Sequence, residues 1–307
     1  MFSKIKIKCL ISLVCLSYAV LAIVLNSTAN AQAYFNGKTA MPAQLEDILL
    51  NVKAGTVVVM SEQHDKEAHH QNQRDFLVSV SGGPFSISVG MEFFSYPDQA
   101  AVDDYVFDRV SEDDFLKKIK WQTAGLFSFF NFSNFPFSFY RFQVRLPAYK
   151  GGRTLALNFP RELSGKVAKS GLDGLSDAEK LMMPPNFERG LDSYFERFHE
   201  VMKGHAKEEQ IQNYFMAQSL WDDTMAWKAA DYMSKNPNQF LMIIVGDFHV
   251  AYQDGLIARL KKRGIKDLLV VSQVDSTGMS DSDRQELISA DPKYGPRADF
   301  VFDSKAK

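Results

Sequence analysis

Five short apolar runs, rich in β-branched residues, recur along the chain, and polar residues and a helical pattern follow most of them. The runs are TVVVM (56–60), ISVGMEF (87–93), TLALN (154–158), FLMIIVG (240–246) and DLLVVSQ (267–273). Continuous runs are typical of strands that are covered on both faces. Helical periodicity is found at 67–80, 97–108, 138–150, 160–169 and 250–263. The alternation predicts an α/β fold with a three-layer core, in which a mainly parallel sheet is flanked by helices.

Two stretches interrupt this alternation. Residues 174–237 contain helical patterns at 176–183, 188–203 and 207–235, which predicts a helical insertion between strands three and four. The Phe-rich segment 126–139 alternates at roughly every second residue. This pattern fits either core packing of a half-buried strand or a flap that covers an aromatic ligand. Residues 274–307 are expected to form a C-terminal tail with one short strand at ADFVF.

The N-terminus has the pattern of a secretory signal peptide. A basic start, MFSKIKIK, precedes an apolar run of 17 residues and the small-residue sequence NSTANAQA. We expect cleavage after Ala31 or Ala33, so that residues 1–33 are the signal and 34–273 the α/β domain. An uncleaved membrane anchor is the alternative. Cys15 lacks the small residues that precede a lipoprotein cysteine, so the expected location is periplasmic or envelope-associated, without a lipid anchor.

The composition of the predicted mature chain excludes some kinds of chemistry and some kinds of partner. Cleavage removes both cysteines, Cys9 and Cys15, which excludes disulfides and cysteine-based metal or nucleophile chemistry. It also removes three lysines, leaving 32 basic and 37 acidic residues and a net charge of −5. A mildly acidic protein lacks the basic field that nucleic-acid binding needs. No nucleic-acid partner is expected.

Polar residues follow the predicted strands at the points where these end. Glu62 and His64 follow the first strand, Glu92 ends the second, and His249 follows the fourth. Asn158 and Asp247 are placed in the same way. The carboxyl ends of parallel strands share one edge of a sheet, where ligands bind. We therefore expect these side chains to meet in one pocket.

Each of these residues also has a purely structural interpretation. Glu92 lies in an apolar strand, so it must pair, bind a metal or take up a proton, and a salt bridge to a helix arginine would be sufficient. His64 and His249 could simply bond to the backbone. His69 and His70 are neighbours on a helix, so we expect only one of them on the side of His64 and the other in solvent.

Together, two imidazoles and several carboxylates fit two kinds of ligand. Divalent metals accept such nitrogen and oxygen donors, whereas haem iron accepts an axial His or Tyr. Tyr252 is a candidate phenolate ligand; the alternative is that it packs beside the strand.

In these positions the chain resembles the ChaN-like haem-binding family, within a superfamily that includes Tiki proteases and erythromycin esterases. The resemblance runs over roughly residues 45–273. It is carried by Glu62, His64, Asp65, His69, His70 and Gln73; by Gly90, Met91, Glu92, Phe93 and Phe94; by Trp121, Tyr140 and the sequence NFPRE; by AQSLWDDTMA; and by Gly246, His249, Val250, Ala251, Tyr252 and Gly255. The chain departs from the family pattern at Ser61, at Asp247 and Phe248, in lacking the lipoprotein cysteine, and in its Phe-rich segment.

The resemblance implies a haem-binding protein of the cell envelope that acts in haem and iron acquisition or trafficking. His64, His249 and Tyr252 would be the axial-ligand candidates, with Glu62 and Glu92 orienting them and Trp221 among the cofactor-binding residues. A homodimer that completes the pocket and an outer-membrane haem receptor are the expected partners.

Two hydrolase alternatives use the same pocket. In a Tiki-like enzyme, His64, Glu92 and His249 would hold a divalent metal ion and Glu62 would be the general base. In a metal-free enzyme like the erythromycin esterases, His64 would activate water beside Glu62 and Glu92.

Overall fold

The computed structural model describes residues 34–121 and 136–306, and within them eight strands form one sheet. The strands are β1 (Tyr34–Asn36), β2 (Pro42–Ala43), β3 (Val57–Glu62), β4 (Ile87–Ser95), β5 (Gly151–Asn158), β6 (Phe240–Gly246), β7 (Leu268–Val274) and β8 (Phe300–Asp303). Their order across the sheet is β2-β1-β8-β7-β3-β6-β4-β5. The pairs from β8 to β5 are parallel, and the pairs that β1 makes with β2 and β8 are antiparallel. The predicted mainly parallel α/β fold is confirmed.

Helices cover both faces of the sheet. Those of the described residues are α1 (Leu45–Leu49), α2 (Glu67–Val80), α3 (Gln99–Val106), α4 (Glu112–Lys118), α5 (Arg141–Tyr149), α6 (Arg161–Ser170), α7 (Asp177–Lys180), α8 (Asp192–Met202), α9 (Glu208–Lys235), α10 (Leu256–Lys262) and α11 (Asp281–Ile288). On one face, Met60 of β3 packs in a cluster with Phe76 of α2. On the other, Val59 and Ile243 pack with Met225 of α9. Successive strand residues point to opposite faces, so the five apolar runs supply both layers of core.

The connection between β5 and β6 is helical and holds α6, α7, α8 and α9. That residues from about 174 to 237 are an insertion into the fold stays a prediction. Met225, Ala226 and Ala229 of α9 are buried against the sheet, so this 28-residue helix forms part of the outer layer. α8 packs instead in a cluster that includes Phe215 and Phe248, at the edge where β6 ends.

The predicted helix at 250–263 is wrong over its first half. Two short 3₁₀ turns, Asp247–His249 and Ala251–Gln253, precede α10. The φ angles of Tyr252 and Gln253 are 63° and 62°, in the left-handed region that a right-handed helix excludes. The helix therefore begins only at Leu256.

The segment 274–307 contributes to the sheet through β8, which includes most of the predicted ADFVF strand and pairs with β7 and β1. β1 and β2 were not predicted, because strands of three and two residues leave no periodic signal. Residues 1–33, the predicted signal peptide, lie outside the described residues, and so do residues 122–135, which include positions 126–135 of the Phe-rich segment. Phe137, which follows them, is buried in an aromatic cluster. In the described ranges, none of the helices has the length and apolar character of a membrane span.

Candidate functional site

A crevice of about 330 Å³ opens where β3, β4 and β6 end. Register places Glu62, the last residue of β3, beside Gly246, the last residue of β6. The crevice brings together five of the predicted polar residues, Glu62, His64, Glu92, Asp247 and His249. Its apolar lining consists of Phe198, Val201, Met202, Trp221 and Phe248. The predicted convergence at the carboxyl edge of the sheet is therefore present in the structure.

Glu62 is the centre of a buried hydrogen-bond network. Its Oε1 lies 2.9 Å from Nδ1 of His64 and also accepts a hydrogen bond from the Tyr140 hydroxyl. Its Oε2 accepts from Nε2 of Gln73 at 2.7 Å. Burial alone would raise the pKa of Glu62, but the charges of His70 and His64 and these hydrogen bonds lower it overall. Glu62 is thus an anion that fixes the orientation of His64.

The His64 imidazole lies at the mouth of the crevice, where 21% of its side chain is exposed. Burial would lower its pKa, but the hydrogen bond to Glu62 and the charge of Glu92 raise it. The edge of its ring contacts Phe93 with centroids 5.0 Å apart. Gly246 makes room for it, since a Cβ at this glycine would come within 3.0 Å of Cε1 of His64. The hydrogen bond to Glu62, the contact with Phe93 and the limited space beside Gly246 therefore all restrict the position of the His64 ring.

A second carboxylate–imidazole chain forms the floor of the crevice. Nδ1 of His249 lies 2.6 Å from Oδ1 of Asp222, and its Nε2 lies 3.3 Å from Oε1 of Glu92. Oε2 of Glu92 accepts a hydrogen bond from the backbone N–H of Gly246 at 2.6 Å. Burial would lower the pKa of His249, but the charges of Asp222 and Glu92 raise it to about 10. His249 is accordingly a buried cation at neutral pH, engaged on both ring nitrogens.

Glu92 is anionic for the complementary reason. Burial would raise its pKa, whereas the charge of His249 and the hydrogen bonds from His249 and Gly246 lower it to about 2. As a buried carboxylate Glu92 needs partners, and these are His249 and the backbone N–H of Gly246. Among the described residues, Glu92 makes no ion pair with a helix arginine.

Asp247 has a supporting role in this edge of the sheet. Its Oδ1 accepts hydrogen bonds from Ser61 at 2.6 Å and Ser272 at 2.5 Å, and its Oδ2 pairs with Arg297. These contacts join β3, β6 and β7. The carboxylate is thus occupied in holding the loop that carries His249.

Tyr252 and Asn158 are not part of the crevice lining. The Tyr252 ring contacts the guanidinium groups of Arg197 and Arg297, at 4.9 and 5.6 Å from the ring centroid. Oδ1 of Asn158 accepts from the neighbouring backbone N–H of Phe159 at 2.8 Å. The structure therefore supports the packing interpretation of Tyr252.

The expectation that one of His69 and His70 is solvated is wrong, because both are buried. Nδ1 of His69 accepts from the Gln63 backbone N–H at 2.9 Å, and its Nε2 lies 3.2 Å from the Val274 carbonyl. Nε2 of His70 lies 3.0 Å from the His64 carbonyl oxygen. Both imidazoles thus hold the turn that presents His64, a role that helical spacing alone does not reveal.

The predicted metal set of His64, Glu92 and His249 is not supported. Among residues 34–121 and 136–306, no group of three or more His, Cys, Asp or Glu side chains has an arrangement that could hold a metal ion. The physical reason lies in His249, whose two nitrogens face carboxylates and which carries a proton that a metal ligand must lose.

The polar residues of the site that were not predicted to have a role there include Gln73, Tyr140, Gln218 and Asp222. All four stand in the stretches that carry the family resemblance, which was the available signal. Asp222 lies four residues after Gln218 on α9, so both project toward the crevice from the same side of the helix. Periodicity alone assigns such residues to a helix face and gives no reason to pair them with His249.

The chain resembles known proteins in its sequence and in its fold. A family model described as haem-binding uptake, Tiki superfamily, ChaN, matches residues 48–260. The structure of ChaN of Campylobacter jejuni, described with cofacial haem binding, has a TM-score of 0.61 and 16% identity, covering 87% of this chain and 94% of that chain. An erythromycin esterase mutant in its open conformation has a TM-score of 0.44 and 10% identity, covering 79% of this chain and 77% of that chain. No curated protein matches the sequence.

Proposed function

The chain belongs to the haem-binding uptake family of the Tiki superfamily, and we propose that it binds haem in the crevice as an exported protein of haem and iron acquisition or trafficking. The observation that carries this proposal is an apolar, partly aromatic crevice with an oriented imidazole at its mouth. Porphyrin faces are apolar, and haem iron accepts an imidazole nitrogen.

The residues present fit such a ligand. Phe198, Trp221 and Phe248 offer aromatic surface, and Val201 extends it with half of its own surface exposed. A volume of about 330 Å³ is at the lower end of the range for small-molecule pockets. We infer that the crevice takes up part of a porphyrin and leaves the remainder accessible.

His64 is the proposed iron ligand among the three candidates. Its side chain is 21% exposed, compared with 6% for His249. His249 is engaged by two carboxylates and Tyr252 lies outside the crevice. Bound haem would supply an iron centre, while Glu62 would orient His64 and maintain its basicity.

The test is an optical titration of the mature protein with haemin. We expect a saturable shift of the Soret band that is lost or strongly weakened in His64→Ala. His199→Ala is the matched control, because His199 pairs with Glu208 on the exposed side of α8. A wild-type protein without a saturable shift would end the proposal, and an unchanged shift in His64→Ala would end the assignment of His64.

The proposal also includes export of the protein, a receptor that delivers haem, and a homodimer. We propose that cleavage after Ala31 or Ala33 removes the signal, so that the chain from the cell envelope begins at Gln32 or Tyr34, which mass spectrometry of that fraction would establish. An outer-membrane haem receptor would deliver the ligand. A second copy would cover the exposed rim at Val201, in keeping with the cofacial haem binding named for the Campylobacter jejuni protein. Sedimentation with and without haemin tests this dimer; a monomer under both conditions contradicts it.

A metal-free hydrolase is the second candidate, favoured by one observation. The Glu62–His64 pair and the Glu92 carboxylate face the same crevice. A carboxylate–imidazole pair can serve as a general base toward water, so His64 would activate water beside Glu62 and Glu92. This candidate predicts ester hydrolysis that survives chelation and is lost in Glu92→Gln. Absence of turnover with a panel of activated esters would exclude it.

A further inference from the structure

A second, larger cavity lies beside the crevice at the same edge of the sheet. Its volume is about 740 Å³, and it is formed by the end of β4, the residues after α4 and the start of α6. We call it the Arg161 cavity. The basic residues in its lining are Lys118, Lys120 and Arg161.

Arg161 has an incomplete set of hydrogen bonds. Its Nη2 donates to the carbonyl oxygen of Phe93 at 2.8 Å. Its Nη1 is buried and has no hydrogen-bond partner within the described part of the chain. A buried charged donor without an acceptor is costly, and guanidinium groups are matched to carboxylates by their paired N–H donors. The unpaired nitrogen therefore indicates a place for an external acceptor.

Two of the three acidic residues in the cavity lining are paired with lysines. Glu162 pairs with Lys120 at 2.7 Å, and Glu179 pairs with Lys166 at 2.5 Å. Asp98, the third, acts on Arg161 through its charge but makes no hydrogen bond to Nη1 of Arg161. None of the three carboxylates therefore takes the place of a hydrogen-bond acceptor for Nη1.

The Arg161 cavity is coupled to the crevice through β4. Phe93, which accepts the Arg161 hydrogen bond, follows Glu92 on the crevice floor. Burial lowers the pKa of Arg161 and the charge of Glu92 opposes this, so the guanidinium lies within electrostatic reach of the crevice. A ligand seated in the crevice and bearing an acidic side arm could therefore reach Arg161.

We propose that Arg161 binds a carboxylate, and that in the haem complex this is a propionate of the porphyrin. The proposal rests on haem binding in the crevice. The contact with Arg161 would determine which edge of the porphyrin enters the protein. Arginine is suited to this role because its planar fork binds a carboxylate through two parallel N–H donors.

The experiment compares haemin with its dimethyl ester, in which both propionates are esterified. Wild-type protein and Arg161→Met are titrated with each ligand. We expect Arg161→Met to weaken haemin binding about tenfold and to leave binding of the ester unchanged. Arg161→Lys should recover part of the haemin affinity, since it keeps the charge and loses the fork.

The control variant is Arg259→Met, which removes another buried arginine that is in the lining of neither cavity and whose guanidinium donates to the Glu188 carbonyl at 2.7 Å. It should bind haemin like the wild type. If Arg161→Met weakens both ligands equally, or neither, the propionate contact is refuted although haem binding stands. If wild-type protein binds neither ligand, the proposed function fails and this inference fails with it.

Discussion

Replacing Asp222 with asparagine tests the charge state of the crevice floor. His249 lies between Asp222 at 2.6 Å and Glu92 at 3.3 Å, and its pKa rises from 6.5 to about 10. Asp222 is the closer of the two carboxylates and its charge is the largest cause that raises the pKa of His249, so it should provide at least half of this increase. Burial raises the pKa of Asp222 itself, which reduces the net stabilisation by the pair. One pKa unit corresponds to about 1.4 kcal/mol. Asp222→Asn should therefore lower the free energy of unfolding by about 2 kcal/mol near pH 6.

The pH dependence gives this prediction its specificity. Because the pKa of His249 is higher in the folded than in the unfolded protein, its stabilising effect is complete below about pH 6.5 and is lost as the pH rises toward 10. The difference in unfolding free energy between wild type and Asp222→Asn should thus be largest near pH 6 and should approach zero near pH 10. Urea denaturation at several pH values between 6 and 10 measures it.

The neighbouring Asp223 offers a matched control. Asp223 is equally buried on α9, but it pairs with Arg263 at 2.7 Å. Arginine does not titrate in this range, so Asp223→Asn should cost stability without pH dependence. A pH-independent loss in Asp222→Asn as well would refute the assignment of His249 as a cation.

Three further outcomes follow from the geometry of the crevice. Gly246→Ala places a Cβ within 3.0 Å of Cε1 of His64, so urea denaturation should show a loss of about 1–3 kcal/mol; unchanged stability would mean that His64 moves freely. Tyr140→Phe removes a donor to the buried Glu62 carboxylate and should cost about 1–3 kcal/mol in the same assay, whereas a neutral effect would show that the hydroxyl is dispensable. Tyr252→Phe should leave the haemin titration unchanged, because Tyr252 is not part of the crevice lining; a lost Soret shift would contradict its placement.

The fold was predictable from sequence because the central strands are uniform apolar runs. Their burial on both faces removes any need for alternation, and β6 matches its predicted range, Phe240–Gly246, at both ends. The position of Glu62 at the end of its strand was equally visible, and Glu92 was placed near the end of β4, which continues to Ser95. Parallel topology then brings such ends together, so the meeting of Glu62, His64, Glu92 and His249 follows from topology alone.

The remaining features depend on contacts that sequence patterns do not encode. Asp222 looks like any polar residue of a helix until α9 packs on the sheet and brings it to His249. His69 is buried because the Gln63 N–H and the Val274 carbonyl complete its hydrogen bonds, and a spacing argument cannot supply those partners. The left-handed φ of Tyr252 has no local sequence signal, since residues other than glycine seldom adopt it.

The most direct test of haem binding is the absorbance spectrum of the protein isolated from the cells that naturally produce it. We expect a Soret band that co-purifies with the wild-type chain and is absent from His64→Ala isolated in the same way. A colourless wild-type protein that also fails to take up added haemin would contradict it.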